Sequence, residues 1–271
     1  MRLLAVIVTA LALVGAGLVA QPSVAATPDR PGPRPGITSG GLADRGEHPY
    51  VGAMLAGRYA DDIMCSGTMI SSRVFLTAAH CTNGLLENGL SKAYVTLGES
   101  YLPGRSKVHP GTLVQMGGYP NADYPDSDTD PFDLAVIVLD RPVKLRKYGR
   151  LPSAGELDAM DAAGMLVPQR FEPVGYGTFE GPAFDGLGTR RKTSSWAFGM
   201  DDHRLGLWQR LDQEESGVCG GDSGGPIFLG NSNVIAATVV SGDENCVLGS
   251  LHYRLDTPGA REFLANFVRL P

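Results

Sequence analysis

Close cysteine pairs are absent from this chain of 271 residues. Its four cysteines stand far apart at Cys65, Cys81, Cys219 and Cys246, whereas a zinc ribbon needs ligands only a few positions from one another. Charge is scarce too. Charged residues make up 19 % of the chain and the net charge is −6, which excludes the broad basic face that a nucleic acid demands. There is no internal repeat and no low-complexity tract. After Ala20 no apolar run is long enough to cross a bilayer. Helical periodicity is rare. It predicts a short helix within Gly155 to Gly164, where Leu157, Met160 and Ala163 lie about one turn apart. It predicts a longer one over 258–270, with Pro258 in its first turn and Phe263 and Phe267 on one face.

What is present describes a globular β protein. Hydrophobic residues reach 43 %, and Gly 36 and Pro 19 supply many turns. Short apolar runs broken by Gly, Pro, Asn and Asp read as buried strands, among them Val74 to Leu76, Leu134 to Leu139 and Val234 to Val240. The charged, Pro- and Gly-rich stretch from Arg141 to Leu166 suits a crossing between two halves.

The N-terminus reads as an export signal over residues 1–26. Arg2 supplies the positive start, Leu3 to Ala20 the apolar run, and Ser23-Val24-Ala25-Ala26 the small residues of a cleavage site. The same run could serve as an uncleaved anchor, but the small-residue site argues for removal, which leaves no stable membrane association. Residues 27–36, with Pro28, Pro31, Pro33 and Pro35, form an extended leader. An exported chain meets an oxidising compartment, so an even cysteine count implies two disulfides.

Three segments carry chemistry. They are Leu76-Thr77-Ala78-Ala79-His80-Cys81, then Asp133 to Leu139, then Cys219-Gly220-Gly221-Asp222-Ser223-Gly224-Gly225-Pro226. A serine hydroxyl is a poor nucleophile until a base takes its proton, and that base needs an orienting carboxylate. Backbone N–H donors must also face the developing oxyanion, and glycines allow so close an approach. Taken singly, His80, Asp133 and Ser223 could be a structural histidine, a turn aspartate and a loop serine. Gly221-Asp222-Ser223-Gly224-Gly225 also fits the Gly-x-Ser-x-Gly elbow of α/β-hydrolase esterases. That class places the acid and then the histidine after the serine, and here His252 is the sole histidine downstream.

Together the three segments resemble the trypsin/chymotrypsin-like serine proteases, in a secreted, bacterial-type member, from about Ile37 to the C-terminus. The resemblance implies an all-β fold: two six-stranded antiparallel β-barrels, about 37–145 and 165–257, followed by a C-terminal helix over 258–270, with the site between the barrels. It implies His80 as general base, Asp133 as its orienter, Ser223 as nucleophile, and the N–H groups of Gly221 and Ser223 as the oxyanion hole. It pairs Cys65 with Cys81 and Cys219 with Cys246. It places Gly217 at the floor of the specificity pocket and Ser241, Gly242 and Asp243 along its wall, with Ser241 touching Asp133. A floor without a carboxylate favours apolar side chains before the cut, unless Asp243 or Glu244 supplies charge from the rim. It pairs Asp222 with an α-amino group freed at Ile37, although Gly36 stands where zymogens of the family carry Arg or Lys.

The expected partners are therefore polypeptide substrates, met by a secreted monomer without metal or cofactor. A catalytically silent, protease-like binding protein is the alternative. Asp126 to Asp130 alternates like a calcium loop, but Pro131 replaces the needed Gly and no acid closes the loop. His252 is placed either at the pocket or on the barrel surface. Arg190-Arg191-Lys192 reads as a solvated or cleavable loop.

Overall fold

The computed structural model describes residues 46–124, 129–178, 187–209, 217–243 and 245–271. The expected signal peptide, the leader, Ile37, Asp126 to Asp128 and Glu244 lie outside them.

Strands β1 (Val51–Leu55), β2 (Cys65–Met69), β3 (Val74–Thr77), β4 (Lys92–Thr96), β5 (His109–Gln115) and β6 (Ala135–Leu139) close into an antiparallel barrel in the order β1-β2-β3-β6-β5-β4. Every residue of β3 is buried and only Val138 of β6 is partly exposed. That is why both read as unbroken apolar runs rather than alternating ones. The second barrel uses β7 (Arg170–Gly175), β9 (Ser195–Met200), β10 (Arg204–Trp208), β11 (Pro226–Leu229), β12 (Ile235–Gly242) and β13 (Gly249–Arg254), closed by pairing of β11 with β7. The two-residue β8 (Arg191–Lys192) adds to the edge of β7. This all-antiparallel architecture has no place for an α/β-hydrolase elbow, which sits between a strand and a helix of a mostly parallel sheet.

Three helices are present among the described residues. Helix α2 (Glu156–Ala162) falls where the periodicity places it. Helix α3 (Pro258–Leu264) begins at Pro258, with the Thr257 hydroxyl accepting the Ala260 N–H at 3.3 Å. It stops well short of Leu270. The Asn266 side chain donates to the Glu262 and Phe263 carbonyls, and the chain turns with Phe267 N–H on Leu264 O at 3.0 Å. A side chain competing for helical carbonyls ends the regular ladder there. Helix α1 (His80–Glu87) is unexpected, because Gly84 and a polar first turn hide its period. It is held by the Cys65–Cys81 disulfide and by Thr82 Oγ1 donating to Ala79 O at 2.9 Å.

Polar side chains join the barrels. Tyr176, just past β7, is fully buried and places its hydroxyl 2.5 Å from Gly98 O in the first barrel. Arg190 Nη1 lies 3.4 Å from Val51 O and 3.2 Å from the Tyr176 hydroxyl. The basic run is thus not a solvated loop. Arg190 is only 3 % exposed, and Lys192 forms ion pairs with Glu47 and Glu172. Carbonyl oxygens left at the barrel ends and the Tyr176 hydroxyl receive its Nη1, which a sequence motif cannot reveal.

The second disulfide joins Cys219 to Cys246, and no free cysteine remains. Peptide mapping without reduction is expected to return the 65–81 and 219–246 pairs, with no alkylation of any cysteine in unreduced protein. A crossed pair or a labelled thiol would contradict this topology.

Candidate active site

Register places the first two groups. Thr77 of β3 pairs with Ala135 of β6, so His80, just beyond β3, meets Asp133, just before β6. The His80 main-chain N–H donates to Asp133 Oδ1 at 2.8 Å, and His80 Nδ1 lies 2.8 Å from Asp133 Oδ2. Asp133 is fully buried while the His80 side chain is 22 % exposed. A carboxylate can only accept, so Nδ1 carries the hydrogen and Nε2 is the basic nitrogen.

The Ser223 loop is pinned to the first barrel by Ser66 of β2. Ser66 N–H donates to Ser223 O at 2.8 Å. Its hydroxyl donates to Gly221 O at 2.9 Å and accepts the Tyr176 N–H at 2.9 Å. Its carbonyl accepts from Thr77 Oγ1 at 2.9 Å. Gly224 has φ +73° and fits so tightly that a Cβ there would lie 2.1 Å from Thr77 Oγ1 and 2.7 Å from Ala78 N. Ser223 is thereby held against the residues that lead into His80. The N–H groups of Gly221 and Ser223 make no hydrogen bond among the described residues, the state required of donors awaiting an oxyanion.

Asp222 is fully buried. Its carboxylate accepts the Gly177 N–H at 2.8 Å and the Cys219 N–H at 3.0 Å. Burial pushes its pKa up to about 7, against the opposing pull of those two donors and of Arg191. A Cβ on Gly175 or Gly177 would come within 2.0 Å or 2.5 Å of its carboxyl group. The Gly-Tyr-Gly sequence of 175–177 is therefore a mould for Asp222, and inspection of the serine motif alone misses it.

The expected pocket residues are only partly as the sequence implies. Gly217 does not leave an open apolar floor, because the buried Gln209 side chain lies against it. Ser241 lies on β12 beside a bulge between Val239 and Ser241, and makes no hydrogen bond to Asp133 among the described residues. Asp243 is no free rim charge. Burial works to raise its pKa, but N–H donors from Leu248, Val247, Gly249 and Asn245 outweigh that and lower it. His252 is fully buried rather than on the surface, and burial pushes its pKa down to about 3. The cluster of Cys65, His80 and Cys81 cannot hold a metal, since both sulfurs are in the disulfide.

Ser66→Ala is expected to cost about 1–3 kcal/mol, because it strands the buried Tyr176 N–H. The urea midpoint of the variant against the parent measures this, and an unchanged midpoint would show that the hydroxyl does not hold the loop.

Known proteins resemble this chain in sequence and in fold. The chain is 28 % identical over 211 residues to serine protease SP24D of Anopheles gambiae, covering 75 % of this chain and 71 % of that protein. It is 27 % identical over 199 residues to phenoloxidase-activating factor 1 of Holotrichia diomphalia, covering 64 % of this chain but only 52 % of that protein. Among solved structures, neuropsin, a serine protease of mouse brain, superposes with a TM-score of 0.59 over 77 % of this chain and 90 % of its own, at 18 % identity, a likeness of fold. The trypsin family model matches residues 37–178, more than half of the sequence, and the chain belongs to the trypsin family.

Proposed function

We propose that the chain is a secreted serine endopeptidase that cuts polypeptides through an acyl-enzyme. The observation that carries this reading is the His80–Asp133 bond beside a serine loop locked to the same barrel. Ser223 Oγ attacks the substrate carbonyl carbon and His80 Nε2 takes its proton. The N–H groups of Gly221 and Ser223 receive the oxyanion. His80 then gives the proton to the leaving amine, the C–N bond breaks, and water releases the acyl group by the same steps. The two disulfides support export. No helix among the described residues is long and apolar enough to cross a membrane.

Ser223→Ala should leave the fold intact and lower turnover by about 10⁶, and Asp133→Asn should lower it by about 10⁴ through loss of imidazole orientation. Peptide hydrolysis and labelling by a serine-directed phosphonate measure both. A protein that folds but neither cleaves nor takes the label is the silent binding protein instead.

The proton on Asp222 bears on maturation. We infer that an ammonium freed at Ile37 neutralises Asp222, after a cut at Gly36–Ile37 by an enzyme that is not trypsin-like. Without an ammonium beside it Asp222 holds its proton up to about 7, while the unfolded chain releases it near 3.8. The native state then binds more protons across that window, so stability falls as pH rises through it. An adjacent ammonium removes this fall. In a Ser223→Ala background, the chain beginning at Thr27 should lose Tm as pH rises from 3.8 towards 7, and the chain beginning at Ile37 should not. Parallel curves would rule out Ile37 as the partner.

A further inference from the structure

Gln209 continues the inward face of β10. Leu205 and Leu207 are buried in the core of the second barrel, and Gln209, next in the alternation, is also fully buried. A Cβ built on Gly217 would lie 2.1 Å from Gln209 Cγ, and one on Gly242 would lie 3.3 Å from Nε2. Gln209 thus fills the space into which a side chain at 217 would project, between the segments before and after Ser223 that Cys219–Cys246 joins. Neither atom of its carboxamide has a hydrogen-bond partner among the described residues. Further polar groups stand on the same face. Ser250 is the cross-strand partner of Leu207, and His252 that of Leu205. Ser250 Oγ lies 2.8 Å from His252 Nε2, and His252 Nδ1 is unpartnered.

A buried amide with both atoms unsatisfied is costly, so it points to a ligand that satisfies it. We propose that Gln209 selects the substrate side chain before the scissile bond, and that it selects a neutral carboxamide, glutamine or asparagine. The substrate amide donates to Gln209 Oε1 and accepts from Nε2, pairing both orphaned atoms at once. An apolar side chain leaves them orphaned. Arginine or lysine buries a charge against a neutral group, with the Asp243 carboxylate already committed to backbone N–H donors. The assignment rests on the proteolytic reading above, and it replaces the apolar preference that Gly217 alone suggests.

Peptides differing only in the residue before the cut test it. The parent protein should favour Gln or Asn over Leu and Arg by at least about tenfold in kcat/KM. Gln209→Leu should reverse the ratio of Gln to Leu substrates. Gln209→Glu, with a carboxylate at the floor, should move the preference to Lys and Arg. Should neither variant fold, the parent profile decides. A parent that takes the phosphonate and cleaves, but prefers Leu or Arg, overturns the assignment of Gln209 and leaves the proteolytic reading standing. A folded parent that neither labels nor cleaves overturns both.

Discussion

Removing a carboxyl group from water is among the more expensive things a fold can do, and Asp222 is removed completely. Much of the surrounding chain follows from it. Two main-chain N–H groups turn towards it from Gly177 and Cys219. Two glycines clear the space that any side chain would fill. Once Asp222 is seated, the backbone on its C-terminal side has little freedom, and Ser223 is presented from a fixed point. The loop owes its shape to the acid beside the serine as much as to the serine.

A second constraint lies between the barrels. The imidazole and its carboxylate belong to one barrel and the hydroxyl to the other, so the constellation is only as rigid as the seam between them. Ser66 uses its N–H, its hydroxyl and its carbonyl on three different segments. Tyr176 and Arg190 bridge the same seam through the Tyr176 hydroxyl on Gly98 O and Arg190 Nη1 on Val51 O. Polar contacts of this kind are directional, and they hold one relative placement of the barrels where apolar packing would tolerate several.

Local patterns were legible where one face or one motif decided them. The apolar runs of β3, β6 and β12, the short α2 and the Pro258 start of α3 all follow from spacing and propensity. The structure brings His80 to Asp133 and ties the Ser223 loop to Ser66 of the first barrel. Other features depended on partners far along the chain. Helix α1 buries only Cys81, Thr82 and Leu85, a short face that includes a polar residue, and it leans on a disulfide. Arg190 looks like part of an exposed basic run until Val51 O and Tyr176 are brought to it. Gln209 carries no motif, and its meaning arises only from the absence of a side chain at Gly217. An isolated glycine in a sequence does not say what occupies the room it leaves.

Ser66 also bears on how such a chain can change over generations. Its hydroxyl touches residues more than a hundred positions away, at Tyr176 and Gly221. The two barrels are therefore not interchangeable parts. A recombinant that joined the first barrel of a relative lacking this hydroxyl to the second barrel of this chain would leave the Tyr176 N–H orphaned at the junction. Exchange of halves therefore carries a stability cost unless both halves change together.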